Sequence, residues 1–254
     1  MQNEPAPDGT IKSGAQLLTV VDLLQTHDGL GVSELAALIG RSKGSAHRYL
    51  KTLTEHGYAV RRGDEYHLSL RFLDHGIYAQ RNTELYQAAK SKVDLLAREV
   101  DERAWCLVEQ NGSGVFIYGS VGDNAVATDV RVGRHMPLHC TSGGKAILAF
   151  SPDSLIDRVV DGDLAQYTDN TISSPERLRD ELATIAERGY SLNLEESITG
   201  LHAVGAPILD DAGDVRGALS VAGAAHRMSE RRCETEISDL VLAATNEVEL
   251  DMRY

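Results

Sequence analysis

The stretch "SELAALIGRSKGSAHRYLKTLTEHGYAVRRGDEYHL", residues 33–68, decides how this chain is read. Ser33 is a good N-cap for a short helix over residues 34–39, with Glu34 in the first turn, where the helix dipole favours an acid, and Gly40 ends the segment. Only Gly40 and Arg41 separate it from the next helix, which Ser42 caps and which runs to about His56. Gly57 then stands where a left-handed residue closes such a helix. The runs "YAVRR" and "YHL" around the tip "GDE" read as a small hairpin. Upstream, Leu17, Leu18, Val20, Val21 and Leu24 keep helical spacing from Ser13 until "THDGLG". Helix, helix, tight turn, helix and hairpin, in that order, make a winged helix-turn-helix.

The helix after Ser42 has two unlike faces. At about 100° per residue, Lys43, Gly44, His47, Arg48, Lys51 and Glu55 fall within an arc of about 140°, and Ala46, Tyr49, Leu50 and Leu53 lie opposite. One face packs and the other is free to meet an anion. The formal net charge is -13, yet residues 11–72 hold 8 Lys/Arg against 6 Asp/Glu, whereas residues 73–254 hold 17 against 30. A locally basic face on an acidic chain points to nucleic acid. Arg48 and Lys51 are expected at guanine edges or phosphates, Arg41, Ser42 and Ser45 at the backbone, and Lys43, Gly44 and His47 at the entering end of the helix. Arg61 and Arg62 on the wing are expected at phosphates or an adjacent minor groove.

Length and composition bound the rest. The 254 residues suffice for two modest domains, and 42% hydrophobic with 5% aromatic residues fits ordinary packing. No apolar run approaches the roughly 20 residues that span a bilayer, and "MQNEPAPDGT" is unlike a signal peptide, so a cytoplasmic protein without membrane contact is expected. Cys106, Cys140 and Cys233 are too scattered for a disulfide framework or a metal knuckle and read as buried small hydrophobes. The acidic excess, with Arg far outnumbering Lys, suggests a halophilic source.

Beyond the wing, "LRFLDHGIYAQ" and "ELYQAAKSKVDLLAREV" read as two connecting helices, the second capped by Asn82 or Thr83 and striped by Leu85, Ala88 or Ala89, Val93, Leu96 and Val100. From Trp105 the period turns to two. "AWCLVEQ", "GVFIYGSV" and "AVATDVRV" read as strands, with "NGSG" as a hairpin loop. Helices follow at about 144–150, 154–160 and 175–188, then strands at "YSLNL", "AVGAPILD" and "VRGALSVAG", and a closing helix from Ser229 toward Glu249. The fold class is therefore α+β with a mainly antiparallel sheet. The divisions are a flexible tail at 1–10, a winged helix-turn-helix DNA-binding domain at 11–70, a helical linker at 71–102 and a second domain at 103–254.

Two stretches carry a resemblance to a known family. "VSELAALIGRSKGSAHRYLKTLTEHGYAVRR" resembles the helix-turn-helix of the isocitrate-lyase-regulator (IclR) family, with its His-Arg pair at His47 and Arg48. "GYSLNLEESITGLHAVGAPILD" is similar to that family's signature in the ligand domain, with Gly189, Glu196, Ala203, Val204, Gly205, Ile208 and Asp210 in register. Asn193 and Leu209 depart from it. The resemblance implies a one-component transcription factor with a GAF-like effector-binding domain, a double-stranded DNA operator, a small organic-acid effector, a homodimer or homotetramer, and no cofactor.

It also implies a pocket between the sheet and the helix that begins in "MPLHCTSGGKAIL", with walls at Ala125, Thr128, Met136 and Leu201. Family members that hold small keto acids use an Asp, a Cys and two Ser at positions that fall on Asn193, Ala203, Ser220 and Ala222. Three of the four differ here, so a larger or less polar acid is expected, with Asn193 and Ser220 giving neutral hydrogen bonds. Physically, Ser142 and Gly143 open a helix whose free N–H groups and positive dipole end suit a carboxylate.

The sharper chemical readings are weak. His139 and Cys140 are adjacent, so on a strand they face opposite ways and make no nucleophile-base pair. "TSGGK" lacks the spacing of a phosphate loop, and no G-x-G-x-x-G opens a helix. His135, His139, His202 and His226 leave a metal conceivable, but hydrogen-bonded or surface histidines are the expectation, and no metal site is assigned. Glu196 is expected to bond a nearby backbone loop rather than act as a base. The competing view is an enzyme or sensor whose winged helix mediates protein contacts.

Overall fold

A computed structural model describes residues 9–253; most of the tail expected at 1–10 lies outside these residues. The chain divides into two compact units, residues 1–79 and 80–254. No helix among the described residues is long and apolar enough to cross a membrane.

The first unit holds α1 (Lys12–Thr26), β1 (Leu30–Gly31), α2 (Val32–Leu38), α3 (Lys43–Glu55), β2 (Ala59–Arg62) and β3 (Glu65–Leu68). It closes on α4 (Arg71–Arg81), which runs across the division between the units. Apolar spacing builds its core: Val20 and Leu24 of α1, Leu35 and Ala36 of α2, and Ala46, Leu50 and Leu53 of α3 are buried together with Ala59 and Tyr66. Truncating the fully buried Leu50 to Ala is worth about 2–5 kcal/mol of stability. Ser42 caps α3 as the sequence suggests, its hydroxyl accepting the Ser45 N–H at 3.3 Å. Gly57 takes the left-handed conformation at φ 76°.

Helix α2 starts earlier than expected. Its N-cap is Gly31, not Ser33, because the Glu34 carboxylate accepts the Gly31 N–H at 3.0 Å and supplies the cap from within the first turn. The wing is a sheet of three strands in the order β1-β3-β2, since the two residues of β1 join the expected hairpin.

The second unit comprises α5 (Glu84–Val100), β4 (Arg103–Gln110), β5 (Ser113–Val121), β6 (His135–Pro137), α6 (Ser142–Ala149), α7 (Asp153–Val160) and α8 (Pro175–Arg188). It continues with β7 (Ser191–Leu194), β8 (Leu201–Leu209), β9 (Val215–Ala224) and the short turn α9 (Glu230–Arg232). That turn passes through a π-helical segment, Cys233–Ile237, into α10 (Ser238–Asp251). The six strands form one sheet in the order β6-β5-β4-β9-β8-β7, antiparallel throughout. Asn111 and Gly112, both at positive φ, make the two-residue turn between β4 and β5, the backbone that a tight hairpin requires.

Strand alternation sorts the side chains into two layers. Ala104, Cys106, Val204, Ala206, Leu219 and Val221 face α5 and α10, and Trp105, Leu107, Phe116 and Ala218 face α6. Helices α7 and α8 close over the outer side of α6 through Leu148, Leu155, Leu178 and Leu182. All three cysteines are buried and free, as the sequence reading expects.

Two expectations are corrected. The linker placed at 71–102 is not one piece, because the stripe of α5 (Leu85, Ala89, Val93, Leu96 and Val100) is buried in the core of the second unit. "AVATDVRV", residues 125–132, is not a strand but part of the loop between β5 and β6. Its alternation has another cause, described below.

Candidate nucleic-acid interface and effector cavity

On α3, Lys43, Gly44, His47, Arg48 and Lys51 are exposed, Ser45 is half-buried, and Arg41 and Ser42 are exposed in the preceding turn. The expected division of the helix into a packing face and a free face therefore holds. Arg48 is steadied by its own helix, donating to Ser45 Oγ at 3.3 Å. Lys51 pairs with Glu55 at 3.5 Å, an exposed contact worth little in water. Among the described residues, Arg41, Lys43, His47 and Arg62 enter no ion pair. Arg61 differs: its guanidinium folds back onto the tip of the wing, donating to Gly63 O at 2.8 Å and meeting Asp64 at 3.2 Å. Arg62 is the freer cation of the wing.

In the second unit a cavity lies between the sheet and the N-terminal end of α6. It measures about 620 Å³ with its open mouth. The sheet beneath it is a grid fixed by register. Asn193, Ala203, Ala222 and Arg103 stand side by side across β7, β8, β9 and β4. One step along, Ser191, Gly205, Ser220 and Trp105 form the next row. Trp105 and Phe116 meet edge-to-face at 5.1 Å and give the floor an aromatic corner.

Of the expected effector residues, Thr128, Met136, Ser142, Gly143, Asn193, Leu201, Ala203, Ser220 and Ala222 line this cavity. Ala125 does not; Val126 takes its place. Val126, Thr128 and Val130 all line the cavity, so the alternation in "AVATDVRV" comes from a loop laid over that cavity, with no ladder partner to make it a strand. Sequence reading missed Arg103, Trp105, Leu107, Phe116, Ser197 and Ile198. The alternation of Arg103, Trp105 and Leu107 along β4 is the signal that groups three of them.

Helix α6 is held tightly at this end. Thr141 Oγ1 accepts the Gly144 N–H at 3.2 Å, and Ser191 Oγ donates to Ser142 O. A Cβ on Gly205 would lie 2.6 Å from Gly143 N and 2.6 Å from the Ser142 carbonyl carbon, so only glycine lets β8 run beneath the helix start. Asn193 is not free to bond a ligand as expected: its Nδ2 donates to Cys140 O at 2.8 Å and Ser197 Oγ at 3.0 Å, and its Oδ1 accepts the Glu196 N–H at 2.8 Å. It ties three parts of the wall together. Ser220 remains at the floor, 5% exposed.

Glu196 also differs from expectation. Its carboxylate meets Lys145 Nζ at 2.6 Å instead of a backbone loop, because Lys145, only 1% exposed, needs a buried counter-ion. Glu181 is the second partner of Lys145, at 3.3 Å. Burial pushes the Glu196 carboxyl above the ordinary range, with Lys145 opposing. The readings of His139 and Cys140 take a different geometry, since both lie in a 3-10 turn over residues 138–140 rather than on a strand. Burial raises the Cys140 thiol to about 12, far from a nucleophile's value. His139 Nε2 lies 3.1 Å from Ala165 O, and His202 Nδ1 lies 2.7 Å from Met228 O. Among the described residues no group of three or more His, Cys, Asp or Glu is arranged to hold a metal ion.

Comparison with known proteins agrees with this geometry. Residues 15–63 match the IclR helix-turn-helix domain, and residues 78–250 match the bacterial transcriptional regulator IclR C-terminal domain. A probable HTH-type transcriptional regulator ArcR from Halobacterium salinarum is 31% identical, over 98% of both chains. The regulator KdgR of Escherichia coli is 28% identical, over 94% of this chain and 91% of its own. The crystal structure of Thermotoga maritima IclR superposes with a TM-score of 0.79 at 26% identity, covering 96% of this chain and 100% of that one. An IclR homolog from Microbacterium hydrocarbonoxydans, complexed with 4-hydroxybenzoate, shares the fold at a TM-score of 0.77 and 21% identity, over 89% of this chain and 92% of its own. These relatives are regulators and not enzymes, and the chain belongs to the IclR family of transcriptional regulators.

Proposed function

We propose that this regulator grips an operator through the N-terminal end of α3 and changes that grip when a small organic acid enters the cavity beside α6, so controlling a catabolic operon. The observation that carries the reading is the exposure of Lys43, Gly44, His47, Arg48 and Lys51 while Ala46, Leu50 and Leu53 are buried behind them. A helix held this way presents side chains of the size and charge that reach base edges and phosphates. Acting on chromosomal operators, the protein works in the cytoplasm. The Halobacterium salinarum relative and the acidic, Arg-rich composition support a halophilic source. Counterion release then contributes less to affinity, and base-edge contacts carry more.

One winged helix buries too little surface for strong selectivity, so the active species is a homodimer or homotetramer on a palindromic site. Helix α4 supports this part: none of its residues is buried, and Leu73, Ile77 and Tyr78 are exposed apolar side chains. The 4-hydroxybenzoate complex of the Microbacterium homolog supports an organic acid as effector, as does the mainly apolar lining with a few polar groups. Coupling of about 1–3 kcal/mol between the sites shifts operator affinity by roughly 5- to 150-fold.

The test separates the two sites. Arg48→Ala is expected to weaken operator binding and leave effector binding intact, and Ser220→Ala to do the reverse. Anisotropy with labelled operator and calorimetry with the effector read the two; both variants unchanged in both assays would refute this division.

A further inference from the structure

We propose that Arg103 is the carboxylate anchor of the effector cavity, and that the effector is a monocarboxylate with an aromatic or branched apolar body. This rests on the organic-acid reading and adds what holds the acid. Arg103 opens β4, and its side chain lines the cavity. Its Nε is buried and has no hydrogen-bond partner, and among the described residues no carboxylate pairs with its guanidinium. The neighbouring acid is already committed: Glu102 turns to the other face of the strand, where Arg227 Nε meets it at 2.7 Å and Arg227 Nη2 at 3.1 Å. What Arg103 does touch is Trp105, whose ring centre lies 5.6 Å from its Cζ. The indole fixes the direction of the guanidinium without satisfying its N–H groups.

A second orphan lines the same cavity, the buried and unpartnered hydroxyl of Thr128. Native proteins rarely leave buried donors unbonded, and two around one cavity mark a ligand that completes them. A guanidinium offers paired N–H groups that match a carboxylate bidentately. Ala222 and Ala203 stand next to Arg103 in its row, and their small side chains leave room above the sheet for the acid group. The remaining walls, Trp105, Phe116, Val130, Met136 and Leu201, are apolar and take the body of the ligand. The N–H groups at Ser142 and Gly143 then meet a hydroxyl or carbonyl at its other end.

Trp105 is the only tryptophan of the chain, so its fluorescence reports occupancy directly. Wild type, Arg103→Lys, Arg103→Gln and Thr128→Val are titrated with benzoate, 4-hydroxybenzoate and 3-methylbutanoate, and with benzamide as the neutral isostere of the first. Wild type is expected to bind at least one of the acids and to favour benzoate over benzamide. Arg103→Gln is expected to weaken the acids by about 10- to 100-fold and erase the preference over the amide. Arg103→Lys recovers part of the loss, and Thr128→Val loses a smaller factor. Acids bound equally by wild type and Arg103→Gln would overturn the anchor and leave the organic-acid reading standing. Wild type that binds none of the acids, or binds benzamide as tightly as benzoate, overturns both. Should Arg103→Gln not fold, Arg103→Lys decides: weaker acid binding than wild type supports the anchor, and acid affinity equal to wild type refutes it.

Discussion

Replacing Lys145 by Met removes one charge and keeps most of the volume, and the structure sets the size of the effect. Lys145 joins α6 to Glu196, in the loop after β7, at 2.6 Å, and to Glu181 of α8 at 3.3 Å. Glu181 keeps Arg188 as a partner at 3.4 Å, but Glu196 is 6% exposed and its other oxygen has no hydrogen bond even with Lys145 present. The variant therefore strands one buried carboxylate. Removing one member of a buried pair typically destabilises by about 3–5 kcal/mol. Protonating Glu196 is the alternative. Each pH unit above its ordinary value of 4.5 adds about 1.4 kcal/mol to that route, so it costs about 3.5 kcal/mol at pH 7 and under about 1 kcal/mol at pH 5.

The direction follows from linkage. Burial raises the folded-state value of Glu196 and loss of Lys145 raises it further, so the folded variant binds this proton more tightly than the unfolded chain does. The stability that this proton supplies is fully present below pH 4.5 and is lost as pH rises through the folded-state value. Chemical denaturation at fixed salt, followed by circular dichroism from pH 5 to 8, should show the deficit of Lys145→Met growing with pH. Adding Glu196→Gln should remove that growth, since no charge is left to strand. A variant within about 1 kcal/mol of wild type at pH 7, with no dependence on pH, would refute the reasoning.

Further outcomes follow from the packing. Gly205→Ala forces a Cβ to within 2.6 Å of Gly143 N; it should lower stability by about 1–3 kcal/mol and abolish ligand quenching of Trp105, which equilibrium unfolding and fluorescence titration measure. Burial holds the Cys140 thiol at about 12, the Cys233 thiol at about 11 and the Cys106 thiol higher still, so iodoacetamide at pH 8 should label none in the native protein and all three in urea, counted by mass. A native thiol that labels quickly would contradict their placement.

The parts of this molecule that are local in sequence were legible there. Helix α3 could be read because Ser42, the buried spacing of Ala46, Leu50 and Leu53, and Gly57 are adjacent signals that agree. Helix α8 likewise runs between Pro175 at its first turn and Gly189 at φ 83°. Strands of two or three residues, β1 and β6, carry no periodicity and were missed. The wall over residues 125–132 imitated a strand because a cavity imposes the same alternation as a sheet face. The Lys145–Glu196 pair is 51 positions apart, and nothing near either residue announces the other. Arg103 was overlooked because its meaning lies in what it does not touch, which only the packed structure can show.

The central claim is that the cationic face of α3 exists to hold duplex DNA. The most direct measurement is the salt dependence of binding to a duplex bearing the operator, compared between wild type, Lys43→Ala/Lys51→Ala and Arg179→Ala, a control in the second unit. Each lost phosphate contact should flatten the slope of log affinity against log salt by about 1, so the double variant should bind more weakly with a slope shallower by up to about 2. The control should match wild type. A double variant with wild-type affinity and slope would contradict the account.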